Sequence, residues 1–171
     1  GRGTKIASLF LPVRINGDVA VLKGIMKEMV EEDARTGGKV LDHAFLAEKT
    51  HGFDAFAADL RATSWDEIVE CSGVGRDLIR KAAAVAMRSK RMITCWAMGL
   101  TQHRNGVANV QTIVNFHLLR GQIGRQQHGP GCAQSGPCCC LPDRSGNGTE
   151  VGDFVALGIA ARGLGFGEEV R

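Results

Sequence analysis

Two short runs carry most of the residues that could meet a polar ligand. Asn16, Gly17 and Asp18 lie between an apolar run and a helical pattern. Met98, Gly99 and Gln102 lie between a β-type run and a second helical pattern. In the first run, Gly17 permits close approach of the backbone to a ligand, and the Asp18 carboxylate can accept two hydrogen bonds from a heterocycle edge. On local sequence alone the commoner role for Asp18 or Asn16 is to cap the helix that follows. In the second run, Gln102 presents both a donor and an acceptor. Gly99 again permits close approach, and Met98 offers a soft, adaptable surface to a flat ring. The alternative there is an ordinary strand-to-helix loop. In an open parallel sheet, ligands bind at loops following the C-terminal ends of strands, and a helix starting just beyond offers free N–H groups to an anion.

Other reactive side chains are weaker candidates. His103 and His117 have no partners at metal-ligand spacing, so His103 is expected to shape its loop and His117 to sit on a helix surface or interface. Cys95 is expected to be buried and inert, and Trp65 and Trp96 to be core. His128, Cys132, Cys138, Cys139 and Cys140 cluster late in the chain, but adjacent cysteines diverge and no CxxC pair occurs. No metal site is expected there, and no residue is expected to act as a catalytic acid or base.

These residues need elements to hold them. Residues 7–13 form an apolar run suited to a buried strand. Val19, Leu22, Ile25, Met26, Met29 and Val30 then recur on one helical face. Residues 41–48 read as a short helix capped by Asp42, and residues 52–60 as another with Phe53, Phe56 and Leu60 on one side. Ser64 and Glu67 make a capping box for a helix that Gly73 and Gly75 end. Residues 77–88 are amphipathic, with Leu78, Ile79, Ala82, Val85 and Ala86 inward. Residues 92–96 are a strand, and Val107, Val110, Ile113, Val114 and Leu118 mark a last helix, stopped by Gly121 and Gly124. Strand, helices, strand, helix predicts an α/β unit whose two strands pair in parallel through a crossover.

The 171 residues suffice for one domain with a real core. A hydrophobic share of 44% and a charged share of 23% fit a globular chain. A net charge of +3 without a basic, aromatic-laced stripe argues against nucleic acid. No apolar run reaches membrane-spanning length and the start lacks a signal-peptide pattern, so no membrane partner and a cytoplasmic location are expected.

Residues 96–106, WAMGLTQHRNG, followed by a helix and then LLRGQIGR at residues 118–125, resemble the molybdopterin-dependent oxidoreductases, in particular formate-dehydrogenase-like alpha subunits. The likeness runs over residues 1–126. It implies a partial Rossmann-like α/β unit over residues 1–125, with parallel strands and flanking helices; residues 126–171, rich in Gly and Cys and with little periodicity, read as an irregular tail. It implies that Asn16, Gly17 and Asp18 meet the guanine-nucleotide part of a molybdopterin guanine dinucleotide. Met98, Gly99 and Gln102 would then meet the pterin and its phosphates. Intact relatives carry molybdenum on that cofactor, act on formate or a similar small molecule and pass electrons to a partner that this sequence does not reveal. An iron–sulfur cluster would belong to a part preceding this chain, which shows no such cysteine pattern, no molybdenum ligand and no closing β domain. The expectation is an internal fragment, inactive alone. Two rivals stand beside it: a non-catalytic α/β nucleotide-binding module, weakened by the missing G-x-G-x-x-G fingerprint, and an inactive gene remnant.

The likeness stops where the family continues Pro-Gly-Ala-Gly-Leu-Cys-Pro-Val-Arg-Gly-His. Codons read from the third base of Gly129 through Gly136 are compatible with Ala-Gly-Leu-Cys-Pro-Val-Arg. The tail is therefore expected to be a frame-shifted, disordered segment that cannot offset its ordering entropy.

Overall fold

The computed structural model describes residues 7–123, with the backbone of two short strands beyond them. It begins with β1 (Leu9–Leu11), three residues of the seven-residue apolar run. Next comes α1 (Asp18–Thr36), which Gly37 ends in the left-handed conformation at φ 71°, as a glycine at that position commonly does. Then follow α2 (His43–Lys49), α3 (Phe53–Ala62), α4 (Trp65–Ser72) and α5 (Arg76–Arg88). β2 (Ile93–Trp96) leads into the short α6 (Met98–Thr101) and then α7 (Gly106–Leu118). The two further strands are β3 (Gly129–Cys132) and β4 (Leu157–Ile159).

The described chain is mostly helical with short parallel strand pairs, an α/β character weighted to α. The expected pairing of β1 with β2 is not made. β1 pairs in parallel with β4, Leu9 opposite Leu157, and β2 pairs in parallel with β3, Ile93 opposite Gly129. A crossover fixes strand direction, whereas the neighbour of a strand is decided by which backbone edges meet. The expected irregular tail otherwise lies outside the described residues.

α1 is the axis of the core. It packs against α3, α4, α5 and α7, so its buried residues run nearly all round it: Val21, Leu22, Ile25, Met26, Met29 and Val30, each at most 4% exposed. Full burial of such a side chain contributes about 1.5–3 kcal/mol. Gly24 marks the crossing: a Cβ there would lie 2.9 Å from Ile68 Cγ2 and 3.0 Å from Ile79 Cγ2. Even Lys27 is buried, because its ammonium donates to the carbonyls of Leu60 (3.1 Å) and Arg61 (2.7 Å) at the end of α3 and pairs with Glu31 (3.1 Å). A cation at a helix C-terminus is favoured by the exposed carbonyls.

The caps follow the sequence closely. Asp42 accepts from the Phe45 N–H (3.1 Å) at the start of α2, and Ser64 Oγ from the Glu67 N–H (3.1 Å) at the start of α4. Asp33 turns the chain after α1: its carboxylate accepts from the Val40 and Leu41 N–H groups, both at 2.9 Å, and meets His43 Nε2 at 2.8 Å. Burial pushes the Asp33 carboxyl up, but these bonds outweigh it and hold the group below the usual carboxylate value.

Candidate functional site

The loop between β1 and α1 is gripped by the end of α4. The Arg14 N–H donates to Ser72 O (2.8 Å) and its guanidinium to Glu70 O (2.9 Å). Asn16 then takes the left-handed conformation at φ 66° and is exposed. Gly17 is buried, and a Cβ on it would stand 2.9 Å from Cys71 O and 3.0 Å from Ser72 Cα. The glycine at 17 is thus already required by the chain's own backbone, a different reason from the ligand approach expected of it.

Asp18 is the first residue of α1. The N-cap is Gly17 and no side chain caps the helix, so neither Asn16 nor Asp18 takes the capping role open to it. Asp18 is only 9% exposed. Among the described residues, its carboxylate receives no hydrogen bond from another residue. Burial raises its pKa, while its own backbone N–H and the charge of His103 pull the other way. His103 is thus within electrostatic range of Asp18, and α7, which follows that loop, packs on α1, so two runs about 80 residues apart in sequence lie on neighbouring elements.

The second run is not a plain loop. After Trp96 the chain closes one helical turn, α6, through Leu100 N–H to Ala97 O (3.0 Å) and Gln102 N–H to Met98 O (2.9 Å). Gly99 and Gln102 are exposed, and Met98 is half exposed at 50%. Gln102 Nε2 rests 3.4 Å from Met98 Sδ. Nothing lies within 4 Å of a Cβ built on Gly99, so the described chain does not itself demand glycine there. Gly106 does face such a demand, since a Cβ on it would strike the Thr101 carbonyl oxygen. His103 Nδ1 is buried without a hydrogen-bond partner.

Four buried or half-buried polar residues support this region, and three of them, Asn109, Arg120 and Gln122, were not singled out from sequence. Asn109, fully buried, donates to Leu100 O (3.0 Å). Arg120 donates to the carbonyls of Ala86 (3.1 Å), Met87 and Ser89 (3.1 Å), closing the end of α5 just before β2. Burial lowers its pKa, and the charge of Asp42 partly restores it. Gln122 is 2% exposed and donates to Lys90 O (3.2 Å). His117 was expected at a surface or interface. It is fully buried instead, with Nε2 2.7 Å from Thr94 Oγ1 on β2 and Nδ1 unpartnered, and burial lowers its pKa to about 4. Its position on the apolar stripe of α7, four residues after Ile113, was the available signal.

Three other expectations change. Cys95 is exposed rather than buried. Trp65 and Trp96 are half-buried, packed against the core's rim. Val107 is 74% exposed, at the outer start of α7. Among the described residues no group of three or more His, Cys, Asp or Glu could hold a metal ion. The side chains of the cysteine cluster lie outside the described residues. No described helix is long and apolar enough to cross a membrane.

No family model matches the chain. Individual proteins do. An uncharacterized oxidoreductase of Mycobacterium tuberculosis is 35% identical over 125 residues, covering 73% of this chain and 16% of that protein. Formate dehydrogenase H of Escherichia coli is 26% identical over 125 residues, 73% of this chain and 17% of its own length. The chain thus spans about one sixth of these relatives. Among solved structures, acetylene hydratase from Pelobacter acetylenicus superposes on 67% of this chain and 15% of its own, with a TM-score of 0.58 at 23% identity. That similarity concerns the fold.

Proposed function

We propose that this chain, homologous over part of its length to molybdopterin enzymes that include formate dehydrogenase H and nitrate reductase, supplies contacts to a molybdopterin guanine dinucleotide within a larger oxidoreductase. In that reading residues 7–123 are part of a Rossmann-like unit. Asn16, Gly17 and Asp18 hold the guanine end, and Met98, Gly99 and Gln102 the pterin end. When bound, the cofactor with its molybdenum moves two electrons and a proton between formate, or a similar small substrate, and an electron partner.

The observation that carries the reading is Asp18. Asp18 is nine-tenths buried as a residue, burial raises its pKa, and its carboxylate has no donor from another described residue, an arrangement that is costly. A guanine edge, with adjacent N–H groups, is a donor pair that would offset that cost. The residues fit the group in two further ways. Gly99 has open space where a side chain would stand, so a ligand can approach the backbone there. Met98 and Gln102 leave α6 on its exposed side, where a flat ring could lie against sulfur and an amide. The protein's part is to bind and orient; no described residue is assigned a proton transfer.

The test is an NMR titration of the chain with guanosine monophosphate, and with adenosine monophosphate as control. The amides of residues 16–19 should shift with the guanine nucleotide alone, and Asp18→Asn should weaken that response by about tenfold or more. Equal responses to both nucleotides, or an unaffected Asp18→Asn, would overturn the reading. A tight complex with ATP or NAD would instead favour a plain nucleotide-binding module.

A further inference from the structure

We propose that Asn109 is the positioning residue that sets α6 in place, and with it the side chains of Met98 and Gln102; the inference rests on reading α6 as a cofactor-contacting turn. α6 is four residues long, far below the length at which a helix holds itself in water. Its carbonyls at the C-terminal end need partners from elsewhere. Asn109 provides one, donating from Nδ2 to Leu100 O at 3.0 Å. Its own Oδ1 accepts from Asn105 Nδ2 at 3.3 Å, and its backbone N–H donates to Asn105 O at 3.0 Å. One fully buried amide thus ties the middle of α6 and the turn after it to the first turn of α7.

The choice of residue is informative. Asn109 shares the inward stripe of α7 with Ile113 and Phe116, both core residues. An apolar side chain at 109 would serve the core without desolvating an amide. The side-chain bonds of Asn109 go to Leu100 and Asn105, which flank Gln102 on either side, and none goes to α1 or α5. The bonds therefore act on the geometry of the exposed turn and not on the packing of the core. Gly106 serves the same fit sterically, since the Thr101 carbonyl occupies the place of its Cβ.

Amide hydrogen exchange on the whole chain tests this. In Asn109→Ala the Leu100 and Gln102 amides should exchange at least about tenfold faster, the factor for one lost buried hydrogen bond. The amides of α1 and α5 and the global stability should change by no more than that one bond accounts for, about tenfold in exchange. Asn105→Ala, which removes only the outer member, should show a smaller change at the same amides. A rise at α1 and α5 larger than that at Leu100 and Gln102 would show a merely structural role and overturn the proposal, as would unchanged exchange at Leu100 and Gln102. Should Asn109→Ala fail to fold, the unmutated chain decides. One Asn109 side-chain amide proton should then be protected in step with Leu100 and Gln102, and free exchange there would overturn the proposal. The titration with guanosine monophosphate reports separately on Asp18. If the unmutated chain ignores the nucleotide while Asn109→Ala loosens α6, the cofactor reading fails and the placement of α6 by Asn109 stands as local structure alone.

Discussion

His117 should make the fold sensitive to mild acid. Its ring is fully buried, and among the described residues only Nε2 has a partner, Thr94 Oγ1 of β2 at 2.7 Å. A proton added to the ring would place an N–H at Nδ1, which has no acceptor, and would put a charge in the core. Burial accordingly lowers the pKa from 6.5 to about 4. The sign follows. Above pH 6.5 the ring is neutral whether folded or unfolded, and the stability is fully present. As pH falls below 6.5 the unfolded chain takes up the proton while the folded chain does not, so stability falls until the folded ring titrates near pH 4. A gap of about two and a half pH units at about 1.4 kcal/mol each amounts to a loss of roughly 3 kcal/mol. Asp33 contributes in the same direction only in stronger acid, because its depressed carboxyl loses its stabilisation below its ordinary value of 3.8. The raised pKa of Asp18 works in the opposite direction. The assay is urea unfolding between pH 7.5 and pH 4.5 for the chain and for His117→Gln, which keeps a hydrogen-bonding side chain without a titrating ring. The chain should lose about 2–3 kcal/mol more than the variant over this range. Parallel pH profiles, or an imidazole resonance of His117 titrating near 6.5 in the folded state, would refute the reasoning.

Asp33→Ala should cost about 2–4 kcal/mol in urea unfolding at neutral pH, since the Val40 and Leu41 N–H groups lose their acceptor; a cost below about 0.5 kcal/mol would show those amides finding water instead. Gly121→Ala should destabilise by about 1–3 kcal/mol, because its φ is 58° and a Cβ would stand 2.6 Å from Asp42 Oδ2. Gly99→Ala, with open space around it, should leave the unfolding midpoint within about 0.5 kcal/mol of the parent, so the pair of variants separates a glycine the fold needs from one it does not. For the tail, the nucleotide sequence spanning Gly129 to Gly136, read from the third base of the first codon, should encode Cys-Pro-Val-Arg; other codons there would dispose of the frame-shift reading.

Local chemistry carried far in this chain. Asp42 and Ser64 cap the helices that their positions announced, because a cap needs only a side-chain oxygen three residues before an N–H. The amphipathic stripe of α5 and the inward face of α1 were likewise legible, since a 3.6-residue period marks one side of a helix wherever that helix packs. The placement of residues 16–18 and 98–102, each run after a strand, also followed from element order.

What the tertiary structure decided is how many sides of an element are covered, and by what. α1 is buried nearly all round because four helices meet it, so Lys27 and Asp33 are enclosed along with its apolar face. His117 is buried where α7 meets Thr94 of β2, whereas Val107, in the same apolar pattern, is exposed at the outer start of α7. That Gly17 must be glycine for the chain's own packing is seen only once the end of α4 is found at its Cβ position. Asp18 reads as a cap until its own burial, and the approach of His103 from 85 residues away, show a carboxylate with no donor from another described residue. β1 and β2 read as neighbours until each meets a different edge. Periodicity and spacing act within one element, whereas desolvation, close approach and pairing arise between elements distant in sequence. The physics that separates a core histidine from a surface one is therefore written in the contacts and not in the residue's own neighbourhood.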